Sequence, residues 1–124
     1  MSGIATVSFE GSSGVGVARI AGEVDSSNAT EVSHELLSSV PNDARALVLD
    51  LTETSYIDSS GISLIFDLAG RLRNRRQELR LVVPQRSFVA EVLRTVSLDG
   101  VAPVDGSLSE ALRAVRPNAP EDES

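Results

Sequence analysis

The chain has 124 residues, 41% of them hydrophobic, with 18 acidic against 11 basic side chains and a formal charge of -7. That is one ordinary domain, long enough to bury about two-thirds of its unfolded surface without staples or metals. All 11 basic residues are Arg, there is one His, and there is no Cys or Trp. Disulfides, thiolate metal sites, Cys nucleophiles, paired-His metal motifs, Lys Schiff bases and a Walker phosphate loop are therefore excluded.

Ile4 to Phe9 and Val15 to Ile20 are short β-prone runs separated by Gly11-Ser12-Ser13-Gly14, which predicts an antiparallel hairpin. After Gly22-Glu23-Val24, the cluster Asp25-Ser26-Ser27-Asn28 offers several N-cap candidates. Ala29, Val32, Leu36 and Val40 follow at helical spacing until Pro41. Ala46 to Leu51 is nearly continuous apolar, as in a parallel strand covered on both faces. Asp58-Ser59-Ser60-Gly61 then opens a helix over about 59–75, with Ile62, Ile65, Phe66, Ala69 and Leu72 predicted on its buried face.

A strand over 79–83 stops at Pro84, and a short helix runs from Phe88 to Val96. A brief strand over 101–104 and a helix from Ser107 to Val115 complete the pattern. Residues 1–116 are expected to form the domain, and the charged, Pro-broken 117–124 a disordered acidic tail. The order ββαβαβαβα reads as an α/β fold, a hairpin leading into a mostly parallel sheet with crossover helices. Right-handed crossovers bring the loops at Asp25 and Asp58 to the same sheet edge, at the carboxyl ends of their strands.

Asp58 or Ser59 suffices as an N-cap, which leaves Ser60 without a structural duty. Gly61 in the first helical turn costs up to about 1 kcal/mol in propensity, so close approach or backbone freedom is needed there. A phosphate on one of these serines would meet unpaired helix N–H groups and add about 1.5 to 2 negative charges beside Asp58. On the same helix Ser60, Leu64, Asp67 and Arg71 share a face, so Leu64 is either an exposed apolar docking residue or is covered by neighbouring helices.

Gly22-Glu23-Val24-Asp25, Tyr56-Ile57-Asp58-Ser59-Ser60-Gly61-Ile62, Arg71-Leu72-Arg73, Leu81-Val82-Val83-Pro84 and Ser107-Leu108-Ser109-Glu110-Ala111-Leu112 stand in an order and spacing that resembles the STAS family of anti-sigma factor antagonists. The resemblance covers roughly residues 4–115. It implies the STAS fold and a partner switch. The unphosphorylated antagonist binds an anti-sigma factor that is a serine kinase, freeing the sigma factor. Phosphorylation of the serine before the glycine, here Ser60, releases it, and a serine phosphatase restores it. Asp25, Asp58, Ser59, Gly61, Leu64 and Asp67 would shape the partner-binding surface. The chain would be a substrate and binding module, not an enzyme, with no cofactor or metal. Family members often have Gly in the turn occupied here by Asn74-Arg75-Arg76-Gln77, and also at Ser97; both are turn positions.

Other readings are weaker. His34 lies off the apolar face of its helix and should be exposed, and Gly-x-Ser-x-Gly is absent, so a Ser-His-Asp hydrolase finds no support. Asp25 and Asp58 are too few for a metal site. Arg71, Arg73, Arg75 and Arg76 complement a helix C-terminus and carry no interleaved aromatics, so direct nucleic-acid contact is not expected. The alternative within the family is a regulatory subunit of an ABC-type lipid transporter or a stress-signalling scaffold. Weak nucleotide binding, sometimes a family property, finds no phosphate loop. With no signal-like start or long apolar run, a cytoplasmic location without membrane insertion is expected.

Overall fold

The computed structural model describes residues 3–12 and 14–115. The predicted acidic tail, 117–124, lies outside the described residues. β1 (Ala5–Ser12) and β2 (Val15–Val24) form the expected hairpin, in antiparallel register from Ala5 opposite Gly22 to Ser12 opposite Val15. There follow α1 (Ala29–Ser39), β3 (Ala46–Asp50), β4 (Thr54–Ile57), α2 (Ser59–Asn74), β5 (Glu78–Val82), α3 (Phe88–Thr95), a 3-10 turn at Leu98–Gly100, β6 (Val104–Asp105) and α4 (Leu108–Val115).

The sheet order is β1-β2-β3-β5-β6, parallel from β2 onward, with β4 paired to β2 off this path. Every residue of β3 is buried, as its continuous apolar run predicts. Its one acid, Asp50, is 2% exposed. The charge is tolerated because Arg19 Nε donates to one carboxylate oxygen at 3.1 Å, while Thr52 N–H (2.9 Å) and its hydroxyl donate to the other.

The strand β4 is absent from the predicted pattern. β2 is ten residues long, so its lower part, Val15–Arg19, pairs with β3 and its upper part, Gly22–Val24, with β4. The tetrapeptide Thr54-Ser55-Tyr56-Ile57 buries only its two ends, which leaves no alternation to read. Its polar side chains tie it down instead: Thr54 Oγ1 donates to Ile20 O at 2.8 Å and Ser55 Oγ to Gly22 O at 3.2 Å. The register shifts at Gly22, whose φ of +112° no side-chain-bearing residue adopts easily.

One sheet face carries the larger core, in which Ile20, Leu47, Leu49 and Leu81 meet Leu36 of α1, Leu68 and Leu72 of α2 and Leu93 of α3. The other face packs Val15, Val17, Val48 and Val82 against Ala111 and Val115 of α4. Each fully buried Leu or Val contributes about 1.5 to 3 kcal/mol, so α2, with Leu64, Ile65, Leu68 and Leu72 all buried, is anchored along its length.

The predicted buried face of α2 is rotated from the observed one. The buried arc is Gly61, Leu64, Ile65, Leu68, Ala69 and Leu72, whereas Phe66 is 41% exposed and Ile62 only partly buried. The cause is α1, which packs beside α2 as well as on the sheet and turns the apolar stripe toward Leu64. Leu64 is 6% exposed. The expectation of an exposed apolar docking residue there is therefore corrected: Leu64 belongs to the core. Among the described residues, no helix is long and apolar enough to cross a membrane.

Candidate functional site

Parallel pairing of β2 with β4, Val24 opposite Ile57, sets the loops after the two strands side by side. The backbone N–H of Asp58 donates to Val24 O at 3.3 Å, joining them directly. Each loop is organised by its aspartate.

Asp58 caps α2. One carboxylate oxygen accepts from the N–H groups of Ser60 at 2.8 Å and Gly61 at 3.3 Å, and the Asp58 carbonyl accepts from Ile62 N–H at 3.0 Å. The helix end is thus supplied with its anion. The Asp58 carboxylate satisfies two of the backbone N–H groups that open the helix, those of Ser60 and Gly61. In the unmodified protein two of the donors that a phosphate on one of these serines would meet are therefore engaged by Asp58.

Asp25 holds the other loop. Ser27 donates to one of its carboxylate oxygens through the hydroxyl at 2.6 Å and the backbone N–H at 2.9 Å, and Gly3 N–H donates to the other at 2.8 Å. These bonds, led by the Ser27 hydroxyl, hold the Asp25 carboxyl below its ordinary value against the opposing effect of desolvation. Asn28 occupies the N-cap position of α1 without a side-chain capping bond. Its amide instead donates to Glu23 O at 2.9 Å and Gly3 O at 3.3 Å and accepts from Asp25 N–H at 3.0 Å. The polar run 25–28 that suggested helix caps is used to build the loop itself.

Gly61 is buried, and a Cβ on it would lie 2.4 Å from Ile57 Cγ1 and 3.1 Å from Val24 Cγ1. Close approach, not unusual backbone geometry, is what the glycine provides. It lets the first turn of α2 sit directly on β2 and β4 and so fixes where Ser60 emerges.

The site residues divide between two depressions. Asp25 and Asp58 line an open cleft of about 800 Å3 together with Glu23, Ser26, Ser27 and Tyr56. Ser60, Leu64 and Asp67 line a groove of about 500 Å3 between α1 and α2, with Thr30, His34 and Arg71 among the opposing and flanking side chains. Ser26 borders both. The shared face of Ser60, Leu64, Asp67 and Arg71 is therefore as predicted, but it is one wall of a groove with Leu64 at the bottom. Asp67 is exposed and pairs with Arg71 at 2.9 Å. Ser59 is exposed and belongs to the lining of neither depression, and His34 is exposed as expected.

The hydroxyl of Ser60 makes no hydrogen bond to any described residue, and Ser60 is partly exposed at the groove rim. One Asp58 carboxylate oxygen accepts from backbone N–H groups, and no hydrogen bond joins that carboxylate to the Ser60 hydroxyl. Among the described residues, no three His, Cys, Asp or Glu side chains are grouped to hold a metal ion. The arrangement leaves the Ser60 hydroxyl partly exposed at the edge of the groove between α1 and α2.

A feature outside the predicted site is the pair Tyr56 and Phe88, stacked with centroids 5.7 Å apart and planes 10° from parallel, both rings substantially exposed. Tyr56 belongs to the motif before Asp58, but its partnership with Phe88 depends on α3 packing against β4, which no local pattern announces.

Comparison with known proteins identifies the scaffold. The family model for the STAS domain matches residues 6–111. The chain is 31% identical over 107 residues, 86% of its length and 91% of the relative's, to a Bordetella bronchiseptica protein named "Putative anti-sigma factor antagonist BtrV". It is 37% identical over 62 residues, 50% of its length and 54% of the relative's, to the anti-sigma-B factor antagonist of Listeria monocytogenes. In three dimensions it resembles an anti-sigma factor antagonist from Mycobacterium paratuberculosis, with a TM-score of 0.82 at 24% identity, covering 92% of this chain and 96% of that one. With the family model covering residues 6–111, which include both loops, α1 to α3 and the start of α4, the chain belongs to the STAS domain family.

Proposed function

We propose that this STAS domain is an anti-sigma factor antagonist that binds an anti-sigma factor serine kinase when unphosphorylated, and that phosphorylation of Ser60 switches the binding off. The observation that carries the reading is the Ser60 hydroxyl, partly exposed and without a hydrogen-bond partner among the described residues, beside the Asp58 carboxylate that accepts from the Ser60 and Gly61 N–H groups. The names of its relatives supply the partner class.

In this reading the kinase transfers the γ-phosphoryl group of ATP to Ser60 Oγ, which loses its proton, and ADP leaves. The domain supplies the acceptor and its presentation, and the kinase supplies the chemistry. The added group brings about two negative charges next to Asp58 and the acidic cleft that holds Asp25 and Glu23. A partner surface fitted to a neutral hydroxyl then meets bulk, desolvation and charge together. Because Asp58 keeps capping α2, the switch needs no refolding. A serine phosphatase reverses it, Ser59 and Asp67 complete the surface around the acceptor, and the buried Gly61 shapes that surface only by fixing where Ser60 emerges.

The test is phosphorylation by the cognate kinase with ATP, followed by intact mass. The wild-type and Ser59→Ala proteins are expected to gain one phosphate and Ser60→Ala none. Continued phosphorylation of Ser60→Ala would refute the assignment.

A further inference from the structure

The stacked rings of Tyr56 and Phe88 stand on the surface, not in the core. With one Tyr, three Phe and no Trp in the chain, half of its aromatic side chains are in this one pair. Tyr56 is 42% and Phe88 52% exposed, although aromatic rings are among the side chains that gain most from burial. Phe88 is the first residue of α3, and its ring lies against one presented by β4. Centroids 5.7 Å apart with planes 10° from parallel make an offset stack. The overlap is partial, so the Tyr56 ring is held in place without being covered.

Tyr56 also borders the cleft between the two loops, with Glu23, Asp25 and Asp58. The carboxylates of Asp25 and Asp58 are engaged by their own loops. Glu23 differs from both. In the parallel register of β2 with β4 it stands opposite Tyr56, on the same sheet face. Its backbone is pinned, the N–H donating to Ile4 O at 2.9 Å and the carbonyl accepting from Asn28 Nδ2 at 2.9 Å. Its side chain is exposed and makes no hydrogen bond or ion pair to any described residue, and the residues lining the cleft include no Arg. A fixed ring and a fixed but unpaired carboxylate thus stand side by side.

We infer that Glu23 and Tyr56 form a subsite for an arginine side chain of the partner protein, with Phe88 holding the Tyr56 ring. The inference rests on the antagonist reading above: the arginine belongs to the anti-sigma factor kinase. A guanidinium is planar and weakly hydrated, so it stacks on an aromatic face while its N–H fork reaches a carboxylate beside the ring. A lysine ammonium has no such plane, and an anionic group would be repelled by Glu23. The subsite is continuous with the acceptor surface, because Ser26 borders both this cleft and the groove that holds Ser60. An arginine seated there fixes the kinase at one edge of that surface and leaves the Ser60 hydroxyl free for transfer.

The affinity of the unphosphorylated full chain for the cognate anti-sigma factor kinase tests this, with the folding of each variant verified by circular dichroism. Glu23→Gln and Tyr56→Leu should each bind about tenfold more weakly than wild type. Tyr56→Phe, which keeps the ring, should stay within about twofold. Phe88→Ala should weaken binding about threefold by releasing that ring. Raising NaCl from about 0.1 M to about 0.5 M should weaken the wild type more than Glu23→Gln, which has lost the screened charge. Wild-type affinity in any of Glu23→Gln, Tyr56→Leu or Phe88→Ala overturns the subsite while the antagonist reading stands, as does a loss in Tyr56→Phe equal to that in Tyr56→Leu. A kinase that fails to bind the wild type overturns that reading, and the subsite with it.

Discussion

At the carboxyl end of the sheet two glycines stand where a Cβ would clash, whereas at the amino end the hairpin turn uses Gly14 but two further left-handed positions are filled by Arg76 and Ser97. Gly22 would put a Cβ 2.1 Å from Ile4 O, and Gly61 would put one 2.4 Å from Ile57 Cγ1. Arg76 and Ser97 take φ of 60° and 57°. Arg76 lies in the turn 74–77 where the family resemblance leads one to expect a Gly, and Ser97 is the other such position. The chain thus keeps tight backbone packing under the acceptor loop and accepts strain at the far end, where only turn geometry is at stake. The site is precise because β2, β4 and the first turn of α2 touch there.

That contrast can be broken by substitution. Gly22→Ala should be the most damaging change, losing about 3 kcal/mol because a backbone carbonyl blocks the new methyl and the φ is unfavourable. Gly61→Ala should cost less, about 1 to 2 kcal/mol, since Ile57 is a side chain that can shift. Denaturant unfolding measures both. Equal, negligible losses would mean that the carboxyl end is no more constrained than the rest.

At the amino end the sign reverses. Arg76→Gly and Ser97→Gly relieve a left-handed cost of about 1 to 2 kcal/mol, offset by the larger unfolded-state entropy of glycine. A net gain of up to about 1 kcal/mol each is expected in the same unfolding assay. A loss at either position would show that side-chain contacts there outweigh backbone strain.

The smallest effect concerns pH. Asp25 has its folded pKa lowered, chiefly by the Ser27 hydroxyl, from an ordinary value near 3.8. Its stabilising contribution is therefore present above that value and lost as pH falls through the folded one. Comparing wild type with Asp25→Asn, the wild-type advantage should be steady from pH 7 to about 5 and shrink below about 4. A pH-independent difference would contradict the role given to the carboxylate.

The elements legible in the sequence were those that carry their own pattern. β3 is a continuous apolar run, α1 and α2 have helical spacing, and Asp-Ser-Ser-Gly marks a helix start after a strand. β4 was not legible, because its residues are held by hydroxyl bonds to β2 rather than by alternating burial. Leu64 and Phe66 were misplaced for a related reason: periodicity finds a helix face, but which edge of that face is covered depended on α1. The convergence of Asp25 and Asp58 followed from crossover handedness alone. What each carboxylate does could not follow, since it depends on which N–H groups lie within 3 Å of it.

The central claim is that Ser60 is the switch. The direct measurement is the affinity of the unmodified and singly phosphorylated proteins for the same anti-sigma factor kinase, with folding verified for both. At least a tenfold weakening on phosphorylation, about 1.4 kcal/mol, is predicted while the thermal unfolding midpoint is unchanged. Equal affinities of two folded forms would contradict the account.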